Sequence, residues 1–455
     1  MTGGPDGAER RAVTSTIPGE CGRSSGPLLL LLADRVIDGT GRPPIEPGFV
    51  AIEGDRVAAV GAPAALPARL RPATERLDFA GCTILPGLVD SHVHLTFSAG
   101  AFPFRDLQSD TDGRLLLRAA ANAREALQAG VTTVRDLGGR DRTALELRDA
   151  INERILPGPR VLAAGRPITC PGGHCHFLGG VARGVGAVTA LARQLVGEGV
   201  DVLKVMATGG NMTETSDPLT PQFSSDELQA IVEVAENAGL RVTAHARGVA
   251  GIHAAVLAGV HGIEHCRMEV APGRWAFDEG LARRMADRGV FVAPTLAASF
   301  RAFQRQAAGG AVGLRPGAIP FSIRQQNARR LRAAGVRVVV GTDAGAALAR
   351  FEEAVHVELE SLVGAGWTPV EAIEAGTRAA ATAIGLADRL GSLAPGLLAD
   401  VAVVRGNPAE SISAVRQVER VYQNGCLVAV RGQLVQDARP TPYPPDGRRS
   451  PRDER

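Results

Sequence analysis

From about residue 84 to residue 385, short β-branched runs alternate with Ala- and Leu-rich segments of helical period, and this alternation is the strongest constraint on the fold. A strand, a helix and a second strand in succession bring the two strands parallel, with the helix packed across them. Candidate strands end near His92, Asp136, Ala164, Val205, His245, Glu264, Ala293 and Thr342. Leu115 to Leu127, Asp226 to Asn237 and Arg324 to Ala334 read as helices between them. Eight such units predict an α/β fold of the (β/α)8 TIM-type barrel class over residues 85–388. Periodicity alone also allows an open doubly wound sheet, but no Gly-x-Gly-x-x-Gly turn follows the first strand to support a dinucleotide site.

The flanks read differently. In residues 27–84, runs such as Val50-Ala51-Ile52 and Arg56-Val57-Ala58-Ala59-Val60 sit between Gly and Pro turns, and similar runs return in 389–436. Both chain ends are therefore expected to build one small β-sandwich domain. Residues 1–26, rich in Gly, Pro, Ser and Arg, and 437–455, with Thr-Pro-Tyr-Pro-Pro, are expected to be disordered tails. With 50 basic against 48 acidic side chains, bulk charge attracts neither nucleic acid nor an anionic membrane, so a small-molecule substrate is expected. A homo-oligomer stays open. The six cysteines are scattered without a Cys-x-x-Cys pair, and the Leu28 to Leu32 run is too short for a membrane span, which together point to a cytoplasmic protein.

One residue stands apart. The chain has 49 arginines and a single lysine, Lys204, and that lysine lies inside the apolar run Val202-Leu203-Lys204-Val205-Met206. An unpaired ammonium there costs several kcal/mol to bury. His92-Val93-His94 closes the first strand, and alternation puts both imidazoles on one face, where two histidines can share a metal. A His-x-His by itself is a weak signal. Further strand ends add Lys204, His245, His265 and Asp343, so six metal-competent groups gather at the rim where barrel strands end.

These residues stand in Leu85-Pro86-Gly87-Leu88-Val89-Asp90-Ser91-His92-Val93-His94, Gly130-Val131-Thr132-Thr133-Val134-Arg135-Asp136, Lys204-Val205-Met206-Ala207-Thr208-Gly209-Gly210, Ile263-Glu264-His265 and Gly341-Thr342-Asp343-Ala344-Gly345. With Gly391-Ser392-Leu393-Ala394-Pro395-Gly396, Ala399-Asp400 and Gly406-Asn407-Pro408 they resemble the amidohydrolase superfamily, more closely its prolidase-like and imidazolonepropionase-related branch, over about residues 30 to 435. The resemblance implies two divalent cations, usually zinc. It implies that His92, His94 and Asp343 hold one ion, that His245 and His265 hold the other, and that Lys204, carboxylated by carbon dioxide or bicarbonate, bridges both. A lysine of depressed pKa can form that carbamate, whereas arginine stays protonated. The implied chemistry is attack by a metal-bridging hydroxide, with Asp343 taking its proton and passing it to the leaving amine.

The resemblance also places His174, in Gly172-Gly173-His174-Cys175-His176, in the substrate pocket. His176 stands either in that pocket or in solvent. Arg247 follows His245 by two residues, and its fork of donors suits a substrate carboxylate or a salt bridge at the rim. Phe223 falls where many prolidase-like relatives have Tyr, which removes a hydroxyl that could touch the substrate. Arg135 and Asp136 are expected to pair with each other or cap the rim. The leading expectation is a hydrolase cleaving an amide or peptide C–N bond of an N-acyl amino acid or dipeptide. Cyclic amide hydrolysis or deamination, phosphotriester or lactone hydrolysis, and a non-catalytic scaffold barrel are the alternatives, and Lys204 argues against the one-metal cyclic amide hydrolases and deaminases.

Overall fold

A computed structural model describes residues 28–71, 75–310, 319–346, 348–436 and 438. The tails expected at 1–26 and 437–455 lie outside the described residues, Ala438 apart.

The central region is a mixed α/β fold with parallel strands. Leu88–Val93, Val131–Asp136 and Arg160–Ala163 form one parallel run. Val202–Met206, Arg241–Gly248, Gly262–Ala271, Phe291–Ala293 and Arg337–Val338 form a second. Backbone hydrogen bonds join the two runs at both edges. At one edge Ser91 N donates to Val340 O at 3.1 Å and Asp343 N to His92 O at 2.8 Å. At the other, Asp201 N donates to Ala163 O at 2.9 Å and Ile168 N to Lys204 O at 2.8 Å. Both seams therefore run through candidate ligands.

Helices between the strands bury one face each, as their sequence period requires. In Asp112–Gln128, capped by the Thr111 side chain, Leu115, Ala119, Ala123 and Ala126 recur at three- and four-residue spacing and are buried. Ser225–Asn237 begins with a capping box, the Ser224 hydroxyl accepting from Glu227 N and the Glu227 carboxylate from Ser224 N. Phe223 precedes that cap and, with Leu228 four residues into the helix, belongs to the main apolar core, the arrangement of a hydrophobic staple.

Strands from both chain ends lie in one eight-stranded sheet. Its long member, Glu75–Pro86, pairs parallel with Leu28–Val36 and antiparallel with Val401–Arg405. Gly87 then turns the chain directly into Leu88–Val93; a side chain there would collide with Thr132. Among the described residues no helix is long and apolar enough to cross a membrane.

Candidate active site

The strand Leu88–Val93 delivers His92 and His94 with their Nε2 atoms 3.3 Å apart. Each ring is fixed through its other nitrogen. His92 Nδ1 lies 2.7 Å from Glu264 Oε2, and His94 Nδ1 donates to Gly138 O at 2.9 Å. Glu264 is itself anchored, accepting from Arg135 at 3.1 Å and from the Thr243 hydroxyl at 2.5 Å. Such outer partners set the tautomer and aim the free nitrogen. Asp343 Oδ1 stands 3.5 Å from His92 Nε2 and 3.3 Å from His94 Nε2. A cation about 2.0–2.1 Å from tetrahedrally disposed donors would separate them by about 3.3 Å, so these three groups have the spacing of a metal site.

Three further candidate ligands line the same cavity. Lys204, central in Val202–Met206, is 1% exposed, and its Nζ has no hydrogen-bond partner among the described residues. Burial pushes its pKa down to about 8, which makes the neutral amine accessible near neutral pH. The rings of His245 and His265 are 4.6 Å apart, and His265 is 5.3 Å from His92. His245 Nε2 is committed to Gly209 O at 3.0 Å and His265 Nδ1 to the Thr295 hydroxyl at 2.8 Å, so His245 Nδ1 and His265 Nε2 are the nitrogens left for a ligand. Burial holds both imidazoles well below their usual pKa, in the neutral form a metal requires. Burial opposes ionisation of Asp343, yet His94 and His92 beside it hold the carboxyl well below the usual range.

Two of the six candidates sit on strained backbone: His265 has φ 70° and Asp343 φ 60°, left-handed values that cost about 1–3 kcal/mol for a residue with a side chain. Such strain collects where side-chain placement outweighs local comfort. His174 is buried with its ring 4.5 Å from that of His245 and lies so close over Gly210 that no Cβ fits there. Its Nδ1 is buried without a hydrogen bond.

The remaining expectations divide. His176 and Phe223 are not among the described residues lining the cavity. His176 turns back to Gly173 O at 3.0 Å, and Phe223 packs in the core. Arg247 does line it, but its fork is occupied by Glu269 at 2.7 and 2.9 Å. Arg135 and Asp136 do not pair: Arg135 reaches Glu264, while Asp136 accepts from Leu95 N at 2.7 Å and Gly138 N at 3.0 Å. The sequence reading missed Glu264 as a partner of His92, although a charged residue inside an apolar strand is the signal that singled out Lys204. It also missed Arg267 and Arg324 on the cavity wall, which nothing distinguishes within a pool of 49 arginines.

The model of the amidohydrolase family matches residues 83–428, a span that includes all six candidate ligands. The chain belongs to the amidohydrolase family. Within it, this amidohydrolase is 29% identical to ochratoxinase of Aspergillus niger over 441 residues, covering 88% of this chain and 86% of that one. The crystal structure of that ochratoxinase superposes with a TM-score of 0.80, covering 92% of this chain and 99% of the other at 28% identity. A Xaa-Pro dipeptidase with methionine bound in its active site gives a TM-score of 0.79 at 29% identity, covering 88% and 99%. Imidazolonepropionase of Fusobacterium nucleatum is 26% identical, covering 84% and 91%. These relatives bear out the prolidase-like and imidazolonepropionase-related branch, and this amidohydrolase is a hydrolase acting on carbon–nitrogen bonds.

Proposed function

We propose that this amidohydrolase cleaves the amide bond of a small N-acyl amino acid or dipeptide at a centre of two divalent cations, zinc by its donor set of imidazole and carboxylate. The observation that carries the reading is the convergence of four imidazole donors and a carboxylate on one cavity with an unpartnered buried lysine amine. His92, His94 and Asp343 would hold one ion and His245 and His265 the other. Lys204 would serve both after its neutral amine adds to carbon dioxide, losing a proton and gaining an anionic carbamate, which removes the burial penalty. Bound there, the cations supply acidification of a water and polarisation of the scissile carbonyl.

The chain's own residues do the rest. Asp343, ionised and bonded to His94, accepts the proton of the attacking water and returns it to the leaving nitrogen. His174, with a buried Nδ1 to satisfy, orients a polar group of the substrate. The two hydrogen-bonded seams support closure of the eight parallel strands into a (β/α)8 barrel, with the ligands at its carboxyl mouth. Apolar clusters on both faces of the eight-stranded sheet support its folding into a sandwich. Cys82, Cys170, Cys175 and Cys266 are buried free thiols, in keeping with a reducing cytoplasm.

The test is a screen of N-acyl amino acids and dipeptides with zinc and bicarbonate supplied. Release of the free amino acid by wild type, lost in Asp343→Asn, is expected. Protein that carries two metals per chain and hydrolyses none of them would overturn the reading.

A further inference from the structure

Three arginines share the cavity with the candidate ligands: Arg247, Arg267 and Arg324. Their partners are unequal. Glu269 clasps Arg247, meeting Nη2 at 2.7 and 2.9 Å and Nε at 3.2 Å, while Asn211 takes Nη1 at 2.5 Å. Arg324 is buried and donates to the Ser299 hydroxyl and to Ile319 O, both uncharged. Arg267 has Nε and Nη1 buried without a hydrogen bond. Its ion-pair partner is the same Glu269, at 3.9 Å and already engaged by Arg247. Glu269 is therefore shared by Arg247 and Arg267, and Arg324 meets no carboxylate among the described residues.

A guanidinium cannot shed its proton to escape this position. Burying one beside two more without a matching anion costs several kcal/mol, and a folded chain does not carry that cost for packing alone. The wall is thus short of negative charge at a residue that lines the cavity. Phe104, Met206 and Met212 line the same cavity and give it apolar surface for the rest of a ligand.

We infer that Arg267, supported by Arg324, is the subsite for a free carboxylate on the substrate, so that the amides hydrolysed are those of an amino acid with an unblocked carboxyl group. This rests on the amide-hydrolase reading and assigns to Arg267 the role that sequence gave to Arg247. A planar fork suits a carboxylate oxygen pair, and removal from water strengthens the contact.

The experiment compares N-benzoyl-L-leucine with its carboxamide, N-benzoyl-L-leucinamide, on the zinc-loaded enzyme. Wild type is expected to prefer the acid by about a hundredfold in kcat/KM. In Arg267→Met that ratio should fall by most of this factor, through KM, and Arg267→Lys should recover part of it. The melting temperature of Arg267→Met should not drop, since an unmatched charge has been removed. Equal loss on both compounds, or an unchanged ratio, would overturn the subsite. If holoenzyme turns over neither compound, the amide-hydrolase reading is decided by the wider screen, and the pair is read by thermal protection instead. Protection of wild type by the acid alone, absent in Arg267→Met, supports the subsite; equal or no protection by the two compounds refutes it.

Discussion

Two buried cations on the parallel strands are treated in opposite ways. Arg160, 3% exposed, begins its strand at the end facing the eight-stranded sheet. Its Nη1 meets Asp400 and the Thr133 hydroxyl, each at 2.8 Å, and its Nη2 meets Asn424 at 2.7 Å. Lys204, 1% exposed, lies at the middle of its strand, and its Nζ meets no hydrogen-bond acceptor among the described residues. A charge buried to join two parts of a fold finds its counter-charge within the chain. On the proposed function, Lys204 leaves that place to something the chain must acquire.

The contrast breaks most visibly at Lys204. Lys204→Met should lower kcat of the zinc-loaded enzyme by about a thousandfold, the upper range for removing one electrostatic stabiliser. The melting temperature of the metal-free protein should stay level or rise, and a clear fall would make the lysine structural. Arg160→Met should do the reverse. Leaving the buried Asp400 without its counter-charge, with the Asn424 N–H still donating to it, should cost about 3–5 kcal/mol in urea unfolding. A loss no greater than that of a surface pair, about 1 kcal/mol or less, would erase the distinction.

Smaller effects sharpen the picture around the ligands. Glu264→Gln keeps the shape but weakens the hold on His92 Nδ1, and should reduce metal affinity about 10- to 100-fold in a competition titration with a chelator. Unchanged affinity would show that His92 needs no such partner. His356, away from the cavity, gives a pH effect with no metal involved. Burial, aided by Arg416, lowers its pKa to about 4 while its Nε2 lies 3.0 Å from Ala129 O. As pH falls from about 6.5 to 4 the unfolded chain takes up a proton that the folded chain refuses, so stability declines through that window. His356→Gln should flatten the decline, and an identical slope in the variant would contradict the burial effect.

Much of this was legible in the sequence because its signals were local. The strand ends read near Asp136, Val205 and Ala293 agree with Val131–Asp136, Val202–Met206 and Phe291–Ala293 within one residue. The helix read from Asp226 to Asn237 begins one residue earlier, at Ser225, because Ser224 supplies the cap. Lys204 announced itself by type and by apolar surroundings. What stayed hidden depended on partners distant in sequence. Arg247 suits a substrate carboxylate or a salt bridge by sequence, and only the fold decides between them by bringing Glu269, on the following strand, onto its fork. Phe223 draws notice by its missing hydroxyl, but its place before a helix cap turns the ring inward. Arg267 follows His265 by only two residues, yet no local rule distinguishes a guanidinium that lacks a partner from one that has found it.

The most direct test is the number of metal ions per chain after reconstitution with zinc and bicarbonate, measured by elemental analysis on wild type and Lys204→Met side by side. Two ions in wild type, with at least one lost in the variant and no loss of fold, is the expected result. A wild type that takes up no metal, or a Lys204→Met variant that keeps both ions, would contradict a centre built around the solitary lysine.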